Sequence, residues 1–259
     1  MDVRFSIHFK LVDKDFGFWQ KVIHLLVEGL TEMEVLILII FLAALVIRPP
    51  HQGRFKSSGY KEASGHSLFE TLTDRGRSGE YLTYACLEQF GEEHKLLTNI
   101  YLPKGDGTTT EIDLIMVSAT GIYVFESKNY SGWIFGDENT KFWTQSFQSG
   151  KKFRFYNPIW QNKKHISVLQ KHLGLGSEVF RSYIIFSERC ELKKMFVHSP
   201  EVKVMNRNVL FREVEDDMTY LPVRLSIFEI NQIYNDLSRY TLADAETKQA
   251  HIDSMKWRN

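Results

Sequence analysis

The stretch GIYVFESKNYSGW, Gly121 to Trp133, carries the pattern that decides the fold. As a β-strand it is apolar on both faces over its first half, which is typical of a strand inside a sheet that is covered on both sides. At its end, Glu126 and Lys128 project from the same face. Because buried charge is costly unless it is paired or used, this end of the strand is a candidate site.

The residues before this strand predict an antiparallel hairpin that supplies a second acid. Three strand candidates follow one another between turn residues: KLLTNIYL (95–102), TTEIDLIMV (109–117) and GIYVFESK (121–128). If the second and third strands pair across the turn at Thr120 and Gly121, Asp113 lies near Glu126 on one face. Two neighbouring carboxylates raise each other's pKa unless a cation lies between them. Lys128 or a hard divalent ion such as Mg²⁺ would supply that charge.

Two interpretations of these three residues stay open on spacing alone. A salt bridge of Asp113 or Glu126 with Lys128 on a solvated sheet face needs no ligand, and an acid near a lysine recurs by chance. A metal site uses the same residues, because Mg²⁺ is typically held by one or two carboxylates together with water and substrate phosphate.

The composition excludes several other kinds of function. The 259 residues contain 32 Lys and Arg against 32 Asp and Glu, so no global charge indicates a nucleic-acid or membrane-surface partner. Cys86 and Cys190 form neither a disulfide framework nor a metal-ligand spacing, which favours a reducing compartment. The sequence contains no Ser/His/Asp triad context, glycine-rich phosphate loop or zinc motif, so we expect no nucleotide cofactor.

The apolar run VLILIIFLAALVI, Val35–Ile47, predicts one membrane-spanning helix over about residues 31–47. The run is shorter than the roughly 20 residues that cross a bilayer, so a buried core helix is the alternative. Acids precede the run and no small-residue cleavage site follows it, which disfavours a signal peptide. The bases that follow it predict a single-pass protein of the cell membrane with its C-terminal domain in the cytoplasm: Arg48, Arg54, Lys56 and Lys61.

The remaining sequence predicts one domain behind this anchor. We assign residues 1–50 to the anchor, 51–75 to a linker rich in Gly, Ser and charge, 76–175 to a core, and 176–259 to strands and a helix that complete the same domain. Ser78 is the predicted N-cap of the first helix, which puts Glu80 in its first turn. A carboxylate is favoured there by the helix dipole even without a function. The segment NVLFREV (208–214) is a strand candidate.

In combination, three blocks of sequence resemble the nuclease-related domain (NERD) family of the PD-(D/E)XK nuclease-like superfamily. They are GRSGEYLTYACLEQF, TEIDLIMVSATGIYVFESKNYSGWIFG and NPIWQNKKHISVLQKHL, which span about Gly76 to Leu173 in the family's order. The resemblance implies an α/β fold of the restriction-endonuclease type, a mixed sheet flanked by helices. Its elements would run in the order helix, three antiparallel strands, helix, strand.

The resemblance also implies roles for individual residues. Asp113 and Glu126, with the carbonyl of Ser127, would bind Mg²⁺ or Mn²⁺, and Lys128 would orient the attacking water or stabilise charge on the phosphate. Glu80 matches the acid of the family's first helix and would hold a second ion or position water. Gln161 matches the glutamine of the Asn-Pro-x-x-Gln element and would reach the site from the start of a helix. Ser127 departs from the family, which more often has an apolar residue there.

A group of basic residues interleaved with aromatic residues is a candidate nucleic-acid surface: Lys151, Lys152, Arg154, Lys163 and Lys164. The same pattern in KKFRFY (151–156) also suits an edge strand with a solvated face. The predicted function is therefore a membrane-anchored, divalent-metal-dependent nuclease that hydrolyses DNA. The alternative is a catalytically silent module that binds nucleic acid or protein at the membrane.

Overall fold

A computed structural model of the chain describes residues 55–256 together with Thr31 and Glu34. Across these residues, no helix is both long enough and apolar enough to span a bilayer. The predicted membrane-spanning run Val35–Ile47 lies outside the described residues, so the anchor stays a prediction.

Seven α-helices and nine strands have their bounds within the described residues. They are α1 (Tyr60–Ser64), α2 (Leu68–Thr73), α3 (Arg75–Leu87), β1 (Lys95–Pro103), β2 (Thr109–Ser118), β3 (Gly121–Lys128), β4 (Gly132–Asp137), β5 (Phe142–Ser146), β6 (Lys152–Tyr156), α4 (Pro158–Leu173), β7 (Phe180–Phe186), β8 (Cys190–Phe196), β9 (Val202–Asn206), α5 (Leu210–Tyr220), α6 (Ile227–Leu237) and α7 (Ala245–Lys256).

A five-stranded sheet in the order β1-β2-β3-β7-β9 forms the centre of the fold. β1, β2 and β3 pair antiparallel as predicted, whereas β7 and β9 add in parallel. One face packs on α4 and α6 through residues such as Val124 and Leu169, and the other packs on α3 and α5 through Phe125 and Leu210. β3 lies in the middle with both faces covered, which explains why its first half is apolar on both sides.

A second sheet of four strands, in the order β6-β5-β4-β8, extends the expected fold. The sequence predicted only the KKFRFY edge strand, and β6 is indeed at an edge. β4 and β8 follow closely after β3 and β7 and pair in parallel as those strands do. Ile134 and Trp143 are buried on the inner face of this sheet. The Trp143 ring packs directly on Gly136, where a Cβ would lie 2.5 Å from the ring.

Two predicted local structures are wrong: the N-cap of the first predicted helix and the strand assigned to residues 208–214. Asp74, not Ser78, caps α3, because its carboxylate accepts the backbone N–H of Arg77 at 2.9 Å. Glu80 therefore lies in the second turn of α3, where a first-turn capping role does not apply. The segment 208–214 enters α5 rather than a strand, because Leu210 and Val214 are one helical turn apart and both are buried.

The segment predicted as a linker, residues 51–75, contains α1 and α2. Tyr60 is fully buried, and its ring centroid lies 5.4 Å from that of Tyr81 in α3. The Gly and Ser residues that suggested a linker serve as caps. Ser67 and Glu70 form a capping box on α2, and Gly65 ends α1 with φ of 72°.

Tyr60→Ala tests whether this segment is part of the domain core. Removing a buried aromatic side chain typically costs about 3 kcal/mol or more, so we expect the melting temperature of the full chain to fall by about 6 °C or more. The exposed neighbour Lys61 offers the control, and Lys61→Ala should change stability by less than about 0.5 kcal/mol. Equal melting of Tyr60→Ala and the native chain would mean that the segment is a linker after all.

Candidate active site

Asp113 and Glu126 lie where two strands of the central sheet separate. The pairing of β2 with β3 runs from Ser118 and Gly121 to Leu114 and Phe125, and it ends there. β3 continues to Lys128 paired with β7 alone. In this gap the Asp113 carboxylate accepts the backbone N–H of Ser127 at 3.0 Å, which fixes the acid against β3.

Lys128 connects β3 to the start of α4. Its Nζ donates to Glu126 Oε1 at 2.5 Å and to Gln161 Oε1 at 3.1 Å. Gln161 is held there because Asn157 caps α4, accepting the N–H of Ile159 at 2.9 Å, and Pro158 occupies the first helical position. The structure thus brings Gln161 to the Glu126–Lys128 pair.

His165 is a member of this cluster that the sequence reasoning missed. Its Nε2 lies 3.4 Å from Glu126 Oε2, and its Nδ1 shares a hydrogen bond of 2.8 Å with the hydroxyl of Thr110. The sequence did offer a signal for His165. It lies four residues after Gln161 on the same predicted helix, and residues at i and i+4 share a helix face.

Glu80 approaches the cluster from α3, on the other side of the sheet. Burial, followed by repulsion from Asp113, raises the pKa of Glu80 well above its usual value. α3 packs closely on β3 because Gly79 has no side chain: a Cβ there would lie 3.0 Å from Asn129 Cβ. The buried Arg207 donates to the Gly79 carbonyl at 3.2 Å and anchors this turn of the helix.

The departure from the family at Ser127 is explained by the same close packing. The Ser127 hydroxyl faces α3 and lies 3.3 Å from the hydroxyl of Thr83, within hydrogen-bond distance. A Cβ on Gly79 would already come within 3.3 Å of this hydroxyl oxygen. A small polar residue therefore fits this position, and its side chain points away from Glu126 and Lys128.

The charges of the cluster are not balanced. Burial and the Glu126 carboxylate raise the pKa of Asp113 to about 7. Burial alone would also raise the pKa of Glu126, but Lys128 and His165 outweigh it and lower that pKa. Although burial opposes it, the two acids raise the pKa of Lys128 to about 12. The Glu126–Lys128 pair is therefore ionised, while burial and mutual repulsion favour the protonated forms of Asp113 and Glu80.

The oxygen atoms of this cluster are suitable ligands for a divalent ion in an open site. Burial, followed by repulsion between the acids, disfavours the charged forms of Asp113 and Glu80, and a bound cation would oppose both effects. Carboxylate and carbonyl oxygens suit Mg²⁺ and Mn²⁺. Within residues 55–256, no three His, Cys, Asp or Glu side chains converge as a closed metal site.

The five predicted nucleic-acid residues lie outside this cluster. Lys151, Lys152 and Arg154 are exposed at and beside the edge strand β6, while Lys163 and Lys164 are exposed on α4. Two of them stack on aromatic rings: Arg154 lies 4.9 Å above the Phe142 ring, and Lys164 lies 4.8 Å above the Tyr156 ring. Three of the five predicted basic residues thus lie at or beside the predicted edge strand, and the other two lie on α4.

Asp113→Asn is expected to stabilise the metal-free protein at pH 8. The folded-state pKa near 7 lies above the usual value of 3.8, so the folded state binds the proton more tightly. The native domain therefore loses stability as pH rises from about 4 to about 7, and the neutral amide avoids that loss. We expect a gain of at least about 1 kcal/mol in thermal unfolding with EDTA at pH 8, and little difference at pH 4. A less stable variant at pH 8 would contradict the charge imbalance.

Comparison with known proteins identifies the family of this arrangement. Residues 75–187 match the family model of the nuclease-related domain, a range that contains all the candidate site residues on α3, β2, β3 and α4. An uncharacterized protein of Bacillus anthracis is 34% identical over 179 residues, which cover 69% of this chain and 82% of that relative. No solved structure matches the chain significantly. The chain belongs to the nuclease-related domain family, whose general class is the PD-(D/E)XK superfamily.

Proposed function

We propose that this protein is a divalent-metal-dependent nuclease that hydrolyses phosphodiester bonds of DNA. The observation that carries the proposal is the convergence of Asp113, Glu126 and Lys128 where β2 and β3 separate. Two acids and a lysine in this gap offer both a cation site and a fixed ammonium group at one place. Glu80 and Gln161 complete the arrangement from the two helices on either side.

Lys128 is the group best prepared to act on the substrate. Its ammonium is held in the charged form, and two of its three N–H groups donate to Glu126 and Gln161. The third N–H can donate to an attacking water or to a phosphate oxygen on which negative charge develops. Gln161 and Glu126 thereby fix the direction of that donor before the substrate arrives.

The carboxylates supply the other half of the site. Asp113 and Glu126, with the carbonyl of Ser127, would hold a Mg²⁺ or Mn²⁺ ion, and Glu80 would hold a second ion or position water. A bound ion would lower the pKa of a coordinated water and stabilise charge on the phosphate. His165, which Thr110 holds through Nδ1, turns its Nε2 toward Glu126 Oε2 at 3.4 Å.

A second candidate function is supported by the short Glu126–Lys128 contact. At 2.5 Å this pair has the geometry of a structural ion pair, which a silent binding module would also contain. The raised pKa values of Asp113 and Glu80 favour the nuclease, because burying two further acids beside the Glu126–Lys128 pair costs a purely structural network stability.

We also propose that the domain is tethered to the cell membrane through Val35–Ile47, with residues 55–256 in the cytoplasm. This rests on the apolar run and on the bases that follow it. A tethered nuclease would act on nucleic acid that comes close to the inner membrane surface.

The function is tested by incubating the full chain, purified in detergent, with four substrates: plasmid DNA, linear duplex DNA, single-stranded DNA and RNA. We expect Mg²⁺ or Mn²⁺ to support cleavage of DNA, and EDTA to abolish it. A folded chain that leaves all four substrates intact with either metal would contradict the nuclease and favour the silent module.

A further inference from the structure

The outward face of the second sheet exposes a row of aromatic rings. Strand alternation and pairing put these residues on the face opposite the buried Ile134 and Trp143. The rings of this face belong to Trp133, Phe135, Phe142, Tyr156 and Phe196. Three of them are substantially exposed: Trp133 at 36%, Phe142 at 40% and Phe196 at 53%. Exposed aromatic rings grouped on one face usually mark a binding surface.

Cations surround these rings. Arg154 lies 4.9 Å above the Phe142 ring, and Lys193 lies 5.8 Å above the Trp133 ring. The strand register puts Lys152 and Lys194 on the same face. Two acids also lie there, Glu191, which pairs with Lys193, and Asp137. The face thus combines flat rings with an excess of positive charge, although the chain as a whole is neutral.

The face lies next to the candidate active site along the chain. β4 begins four residues after Lys128, and it pairs with β8, which follows β7. At the other edge of the sheet, Tyr156 contacts Lys164 of α4, the helix that presents Gln161 to Lys128. This surface is therefore connected to the proposed catalytic cluster by helix α4 and by the short link between β3 and β4.

We propose that the outward face of the second sheet binds single-stranded nucleic acid. Bases would stack on Trp133 and Phe142, and phosphates would contact Lys152, Arg154 and Lys194. A duplex hides the faces of its bases within its own stack, so exposed rings on a flat sheet suit an unpaired strand. This inference rests on the proposed nuclease function and assigns that enzyme single-stranded segments as its substrate.

The inference is tested by fluorescence anisotropy with the full chain in EDTA, where the bound strand is not cleaved. The probes are a fluorescein-labelled oligo(dT) of about 20 nucleotides and a labelled duplex of the same length. We expect the single strand to bind more tightly, and Trp133→Ala with Phe142→Ala to weaken its binding at least about tenfold. Phe228→Ala removes a ring that is 73% exposed on α6 and should leave binding unchanged.

A ring-preserving double variant, Trp133→Phe with Phe142→Tyr, separates stacking from any loss of folding, because it should keep most of the native affinity. The inference is overturned if the alanine variant binds the single strand like the native chain, if the duplex binds more tightly, or if the native chain does not bind the single strand. The two proposals fail separately. Binding that depends on the rings without cleavage under any metal would reject the nuclease alone, while cleavage with ring-independent binding would reject this surface alone.

Discussion

Lys128→Met is expected to lower the rate of metal-dependent DNA cleavage by roughly 100- to 1,000-fold while the domain stays folded. Methionine is close to lysine in length but donates no hydrogen bond. The variant therefore cannot orient an attacking water or stabilise negative charge that develops on the phosphate. The variant also leaves Glu126 without its 2.5 Å partner and Gln161 without its donor. Cleavage assays at saturating metal, with folding checked by thermal unfolding, measure the effect.

Lys203→Met provides the matched control for this substitution. Lys203 is a half-buried lysine that pairs with Asp217 at 2.8 Å and Glu213 at 3.2 Å, on the α5 side of the domain. Its loss removes an ion-paired lysine without touching the candidate site, so cleavage below the melting temperature should stay within about twofold of native. Equal losses in the two variants would show that the Lys128 effect is one of stability and not of chemistry.

Saturating Mn²⁺ is expected to raise the melting temperature of the native protein by about 5–10 °C. A ligand at 100 times its dissociation constant stabilises the folded state by about 2.7 kcal/mol, and each kcal/mol shifts melting by about 2–4 °C in a domain of this size. The physical source is the burial and mutual repulsion of the Asp113 and Glu80 carboxylates, which a bound ion would compensate. Melting curves with Mn²⁺ and with EDTA at equal ionic strength give the shift.

Asp113→Asn combined with Glu126→Gln should remove this shift, because both carboxylates that would hold the ion become neutral. Glu213→Gln combined with Asp217→Asn neutralises two acids around Lys203, away from the candidate site. This control variant should retain the Mn²⁺-dependent rise in melting temperature. If the native protein melts at the same temperature with and without the ion, the cluster is a self-sufficient ion-pair network. If both double variants keep the shift, the ion binds elsewhere.

The hairpin and its acids were predictable from local pattern. β2 and β3 each contain an apolar run that is interrupted by an acid, and a short Gly-containing turn joins them. Once the register was fixed by that turn, the proximity of Asp113 and Glu126 followed. The prediction that Gln161 lies near the site came from the family resemblance, because no local sequence pattern shows which strand the start of α4 packs against.

Other parts of the fold depend on packing that local pattern does not encode. β8 has few buried residues and an irregular register between Ile134 and Phe135 of its partner, so its alternation is weak. Tyr60 belongs to the core through its contacts with α3, although the surrounding sequence resembles a linker in composition. His165 joins the site through the three-dimensional position of Glu126, 39 residues earlier in the chain.

The most direct test of the central claim compares the native chain with Glu126→Gln in one cleavage assay on labelled single-stranded DNA. Glutamine keeps the shape of the side chain but removes the charge that would hold the ion and pair with Lys128. We predict Mg²⁺- or Mn²⁺-dependent cleavage by the native chain, and cleavage at least about 1,000-fold slower by the folded variant. Equal rates for the two proteins would contradict the claim that this cluster is a metal-dependent phosphodiesterase site.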